Sequence, residues 1–145
     1  MKSQILFYDR SMIIPTNRGH VTHFYGELMY IIFDKPYCVL HFAENVIYSV
    51  EIAIQHVMDN LPKAPFIKCE RSAIVNLCYH KAFIRNTREI VMVNSERIKV
   101  SKQNVNDINS AIKNIPIISP PCPNCYTCRN DECERHIVLS QKKDE

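Results

Sequence analysis

The longest uninterrupted apolar run in the chain, residues 28–33, is stopped at once by Asp34-Lys35-Pro36. A membrane-crossing helix needs roughly 20 apolar residues in a row, so no transmembrane span is predicted. The apolar start at residues 5–8 is cut by Asp9-Arg10 and is too short for the apolar core of a signal peptide. These interruptions leave a succession of short extended runs. Residues 4–8, 12–14 and 20–25 are separated by Asp9-Arg10 and Asn17-Arg18-Gly19. Residues 28–33 and 37–42 flank a polar, proline-bearing connection suited to a hairpin, and Glu44-Asn45 turns the chain into residues 46–49. Ile and Val are abundant in these runs, and β-branched side chains suit a pleated surface.

The period changes twice. Val50, Ile54, Val57, Met58 and Leu61 fall at helical spacing, and Pro62 and Pro65 end that helix. Residues 66–69 read as extended, while residues 72–77 form an apolar run of undecided type. Residues 82–85, 89–93 and 97–100 are further strands, joined by Asn86-Thr87 and Asn94-Ser95. Ser101 can cap a last helix over residues 102–115, its hydroxyl satisfying a first-turn amide, with Val105, Ile108, Ile112 and Ile115 as its buried stripe. Residues 116–123 hold four prolines and cannot continue a helix. The division predicted is therefore a domain over residues 1–115 and an irregular tail over 116–145.

With 145 residues, 46% of them hydrophobic, the chain can bury one proper core. Only 2 glycines occur and no G-x-G-x-x-G or Walker-type run is present, which argues against phosphate-cradling nucleotide sites. Net charge is +3, but the distribution is uneven. Residues 66–102 carry Lys68, Arg71, Lys81, Arg85, Arg88, Arg97, Lys99 and Lys102 against Glu70, Glu89 and Glu96. That window is +5, leaving −2 for the remainder. A basic segment within a nearly balanced chain is what a polyanion-binding face requires, though lysines and arginines on strands also keep exposed sheet edges soluble.

The stretch Phe66-Ile67-Lys68-Cys69-Glu70-Arg71-Ser72-Ala73-Ile74-Val75-Asn76-Leu77 resembles the most recognisable motif of the LytTR family: an aromatic, a basic residue, then His-Arg-Ser, two apolar positions and Val-Asn. Ile98-Lys99-Val100-Ser101-Lys102 is similar to the apolar-x-Val-Ser-Arg element that opens the family's last helix. Upstream, residues 30–37 are similar to its strand-loop-strand, and the helix before Pro62 sits where the family has one. The resemblance covers roughly residues 10–115. It implies a mainly β fold, elongated, of short antiparallel sheets with two short helices. It further implies a transcription regulator whose connecting loops enter successive major grooves of double-stranded DNA, on paired direct repeats that are bent, with two copies forming a homodimer on DNA. Lys35 and Tyr37 match the first DNA-facing loop, Arg71 the second, and Lys102 and Gln103 the start of the last helix. Glu70 departs from the family's His, and Lys102 from its Arg, which replaces a bidentate fork by a point charge. No receiver-like segment precedes the matched residues, so phosphorelay control within this chain is not expected.

Each of these residues also has a physical rationale. The guanidinium of Arg71 can pair with guanine O6 and N7, Gln103 can read adenine or meet a phosphate, and Lys102 stands where helix amides already favour an anion. Tyr37 can pack on a sugar or donate to a phosphate. The alternatives are an Arg71 ion pair with Glu70 or Glu89, a solvated Lys102, and a core-facing Tyr37.

The tail carries Cys122-x2-Cys125-x2-Cys128-x4-Cys133-x2-His136. Zinc takes four thiolate or imidazole ligands in a tetrahedron, so a zinc knuckle fits this pattern with one ligand to spare, and an iron–sulfur cluster fits it more loosely. Cys38, Cys69 and Cys78 read as small core residues. His20, His23, His41, His56 and His80 lack mutual ligand spacing and read as surface or satisfied histidines. Pro121-Cys122-x2-Cys125 is superficially like a nucleobase deaminase's zinc element, but the required H-x-E is missing, since His41-Phe-Ala-Glu44 is one residue too long. No catalytic constellation stands out, so no enzyme is expected. The chain reads as a cytoplasmic DNA-binding regulator, with metal or thiol state in the tail able to tune it. The competing reading is a metal- or redox-sensing interaction module that does not bind DNA.

Overall fold

The computed structural model describes residues 4–63 and 65–114. Strands β1 (Leu6–Phe7), β2 (Ser11–Thr16) and β3 (Gly19–Phe24) form a first antiparallel sheet. The central sheet has five strands: β4 (Leu28–Asp34), β5 (Tyr37–Phe42), β6 (Val46–Glu51), β7 (Phe66–Glu70) and β8 (Ala73–Asn76), in the order β6-β5-β4-β8-β7. A third sheet holds β9 (His80–Ile84), β10 (Glu89–Met92) and β11 (Arg97–Lys99), with β10 in the middle. Helix α1 (Ile54–Asn60) links β6 to β7, and α2 (Val105–Asn114) follows β11. Every strand pairing is antiparallel. The mainly β fold with two short helices agrees with the sequence reading.

Two cores lie on opposite faces of β4, β7 and β8. Met12 and Ile14 of β2, Leu40 of β5 and Val57 of α1 pack with Ile31 in the first. Val75 of β8, Ile90 of β10, Ile98 of β11 and Ile108 of α2 pack with Tyr30 in the second. Neighbouring residues of β4 thus enter opposite cores, because side chains alternate along a strand. A strand buried on both faces needs apolar residues at every position, which accounts for the unbroken run at 28–33.

The sheets are joined by tight 3-10 turns at Tyr25–Glu27 and Leu77–Tyr79, and these two turns clasp each other. The Tyr79 hydroxyl donates to the Gly26 carbonyl at 2.5 Å. Asn76, fully buried, donates from Nδ2 to the Leu28 carbonyl and accepts the Cys78 amide at Oδ1, each at 2.9 Å. In the β2–β3 turn, Gly19 adopts φ +140°, a conformation that side chains rarely tolerate.

Two local expectations are corrected and one open reading is decided. Val50 belongs to β6, not to a helix: it pairs with Cys38 and faces the first core, so the helix begins at Ile54, with Ile54, Val57 and Leu61 still buried. Residues 72–77 resolve into β8 and the start of a turn. Ser101 occupies the N-cap position of a 3-10 turn (Lys102–Asn104) ahead of α2, but its hydroxyl donates to the Cys69 carbonyl at 3.3 Å instead of capping an amide. Ile108 is buried in α2 and Val105 and Ile112 pack beside it, whereas Ile115 lies outside the described residues.

The cysteines and histidines read from the sequence as structural take such places. Cys38 and Cys69 are buried, and burial pushes their thiols up to about 11 and about 12, so both stay protonated at neutral pH. His23 stacks on Phe42 and its Nε2 lies 3.1 Å from the Tyr48 hydroxyl. His41 stacks on Tyr30 with ring centroids 4.4 Å apart, and His80 Nδ1 lies 2.6 Å from the Leu77 carbonyl. No helix among the described residues is long and apolar enough to cross a membrane.

Two outcomes follow for stability. Asn76→Ala orphans the Leu28 carbonyl and the Cys78 amide, and at about 1–3 kcal/mol for each buried unsatisfied group the loss measured by urea unfolding is expected to be about 2–6 kcal/mol. Burial holds the His41 pKa below its ordinary 6.5, partly offset by Glu96. A histidine whose folded pKa is depressed contributes fully above the unfolded value and loses that contribution as pH falls through the window beneath it. Unfolding followed from pH 7.5 to 5 should therefore show a decline below 6.5 that His41→Phe flattens; an unchanged slope in the variant would assign the decline elsewhere.

Candidate nucleic-acid interface

The antiparallel register brings two of the sequence-predicted turns to one end of the central sheet. Strand β4 ends at Asp34, Lys35 and Pro36 form the turn, and Asp34 pairs with Tyr37 as β5 begins. Strand β8 runs against β4 with Ile32 opposite Ala73, so the β7–β8 turn of Arg71 and Ser72 lies at that same end. The Phe33 amide donates to the Ser72 carbonyl at 2.8 Å and ties the two turns together.

A bulge brings in the third position. The β7–β8 register slips between Lys68 and Glu70, leaving Cys69 as an extra residue outside the pairing. A bulged residue has its carbonyl released from the ladder, and here that carbonyl accepts three donors. They are the Ser101 amide at 2.9 Å, the Ser101 hydroxyl at 3.3 Å and Asn104 Nδ2 at 2.9 Å. Lys102 and Gln103 lie between those two anchoring residues. They are thereby fixed next to the strand that ends in the Arg71 turn.

Lys35, Tyr37, Arg71, Lys102 and Gln103 are all exposed. Tyr37 keeps 46% of its surface, which removes the core-facing alternative. Glu89 is engaged by Arg97 at 3.2 Å and by the Thr87 hydroxyl at 2.9 Å, and Arg71 makes no ion pair among the described residues. The hydrogen bond from Thr87, then that from Arg97 and the nearby Arg97 and Lys99 charges, hold the exposed Glu89 carboxyl below its ordinary value. Acidic residues also stand at this end: Asp34 closes β4, Glu51 closes β6 and Glu70 closes β7. The surface is therefore mixed in sign, with its cations on the turns.

The β9–β10 turn holds none of the sequence-predicted site residues. Arg88 adopts φ +53°, and its carbonyl accepts the Val100 amide at 2.8 Å. Arg85, Arg88 and Lys99 thus stand beside the residues that open the last helix. The +5 window contained all three; what it lacked was the pairing that brings them to this end.

Among the described residues no group of three or more His, Cys, Asp or Glu could hold a metal ion. Cys122, Cys125, Cys128, Cys133 and His136, and with them the expected boundary at residue 116, lie outside the described residues.

A protein-family model described as the LytTr DNA-binding domain matches residues 20–113. Among solved structures the chain is similar to the LytTr DNA-binding domain of a protein described as a methyl-accepting/DNA response regulator from Bacillus cereus. The two share 24% identity with a TM-score of 0.64, over 72% of this chain and 98% of that one, a likeness that speaks for the fold. No curated protein matches the chain. The family match spans well over half of the sequence, and it covers the turns and the helix start just described. The chain belongs to the LytTR family of DNA-binding domains.

Proposed function

We propose that this chain is a sequence-specific transcription regulator that reads double-stranded DNA with turns in place of a recognition helix. The observation that carries the reading is the gathering of Lys35, Tyr37, Arg71, Lys102 and Gln103 at one end of the central sheet, through the β4–β8 register and the triply used Cys69 carbonyl. Turns projecting from a packed sheet can enter grooves without unravelling the sheet, and rigid supports give base contacts their precision. Arg71, exposed and unpaired among the described residues, presents a planar fork to a guanine edge. Lys35, Tyr37, Lys102 and Gln103 fix the register through phosphate, sugar and flanking base contacts.

The sites are paired direct repeats in successive turns of a bent duplex, and two copies bind as a homodimer on them. Because direct repeats share one orientation, any contact between the copies joins two different patches. The location is the compartment that holds the DNA, the cytoplasm. The tail is a zinc knuckle on Cys122, Cys125, Cys128, Cys133 and His136, supported by its ligand spacing, and its metal or thiol state modulates DNA binding.

Random-site selection of bound duplexes tests the main reading. The wild type should enrich a defined motif, and Arg71→Ala should lose preference at one base, a discrimination of about 1–3 kcal/mol, without unfolding. Uniform weakening on all sequences would leave Arg71 an electrostatic role only, and no salt-sensitive binding to any duplex would overturn the assignment. Metal analysis of the purified full chain tests the tail. About one zinc per chain is expected, absent from the variant with Cys125→Ser and Cys128→Ser; metal-free protein purified without chelator would sink this part of the reading.

A further inference from the structure

We infer that the β9–β10 turn is a separate DNA contact, in which Arg85 and Arg88 grip backbone phosphates to one side of the base-reading turns. The inference rests on reading this end of the molecule as the DNA face.

The register Glu89 to Ile84 closes a tight turn of Arg85, Asn86, Thr87 and Arg88, with the Arg88 amide 3.2 Å from the Arg85 carbonyl. The bond from the Val100 amide to the Arg88 carbonyl then fastens that turn to the chain just ahead of Lys102. Since Ser101 is held by the Cys69 bulge, one chain of hydrogen bonds runs from the Arg71 strand through Ser101 to the Arg88 turn. The turn belongs to the third sheet, whose buried Ile90, Met92 and Ile98 lie in the second core. It therefore lies off the central sheet on the α2 side.

Residues 77–88 contain His80, Lys81, Arg85 and Arg88 but no Asp or Glu. The carboxylate next in sequence, Glu89, is taken up by Thr87 and Arg97. Arg85 and Arg88 make no ion pair among the described residues, and Lys99 pairs across the ladder with Glu89 on the same sheet. A carboxylate already neutralised by Arg97 leaves the turn cationic. Arginine forks match phosphate oxygens and release condensed counterions when they bind. Keeping an exposed strand edge soluble would account for Lys81 on β9. It would not account for two arginines in a turn bonded to the chain two residues ahead of Lys102.

The test uses the full chain and a duplex carrying one repeat of the motif enriched in random-site selection. Binding is measured over a range of salt for the wild type, for Arg85→Gln, and for Arg85→Gln with Arg88→Asn, asparagine being a residue that tolerates positive φ. The slope of log affinity against log salt is expected to fall by about 0.9 for each phosphate left without its arginine, so by about 1 in the single variant and about 2 in the double. The enriched base sequence should stay the same. Trimming base pairs from one flank of the repeat should weaken the wild type and leave the double variant unaffected, while trimming the other flank does neither. A wild-type slope in both variants overturns the inference, as does a changed base preference. Failure of the wild type to bind any duplex would instead refute the DNA reading on which the inference stands.

Discussion

Strand β4 lies between two cores, and the rest of the molecule is arranged around it. Leu28, Met29, Tyr30 and Ile31 are all buried, Leu28 and Ile31 in the first core and Met29 and Tyr30 in the second, with a bulge between Leu28 and Tyr30 interrupting the strict alternation. A one-residue slip of such a strand would exchange the contents of both cores at once. The polar end of Tyr30 is matched too, its hydroxyl meeting Asn94 Nδ2 of the β10–β11 turn at 3.1 Å. Asn76, buried beside the start of the strand, holds the Leu28 carbonyl and so sets where β4 begins relative to the third sheet. The end of β4 is thereby fixed, and the end of β4 is where the candidate interface starts.

The bulge at Cys69 converts this core geometry into a surface. Cys69 is left out of the register on β7, an edge strand of the central sheet, so its carbonyl is open to donors from outside the sheet. Three donors from the start of the last helix converge on it. The thiol of the same residue is buried and held in its protonated form, so its contribution is packing while its main chain does the joining. The residues proposed to touch DNA sit on exposed turns, yet each turn is braced within a residue or two by a backbone bond: Phe33 to Ser72, Ser101 to Cys69, Val100 to Arg88. The entropy of ordering these turns is met during folding and not on binding, which leaves more of the interaction energy for affinity.

The extended runs were readable because side-chain alternation and the polar breakers between them are local properties. The α1 stripe was readable for the same reason, yet its start was misplaced by Val50, a residue that fits the helical period and the strand equally well. Only its pairing with Cys38 decided between them. Ser101 stood where a capping residue should stand, and it was drawn instead to an acceptor on β7, far away in sequence. Arg85, Arg88 and Lys99 were visible as charges but not as neighbours of Lys102, since no local pattern announces the bond from Val100 to Arg88.

By itself the sequence determined the mainly β class, the two helices, the positions of most turns and, through the motif around Arg71 and Ser101, the family. These rest on periodicity, turn chemistry and a run of residue types, all of which act over a few neighbouring positions. Only the tertiary structure decided that Lys35, Arg71 and Lys102 share one end, that Tyr37 faces outward, and that Cys69 is the joint between them. Those facts depend on antiparallel register and on a freed carbonyl meeting donors some thirty residues away. Such pairings are set by the packing of the whole sheet, and no short stretch of sequence contains them.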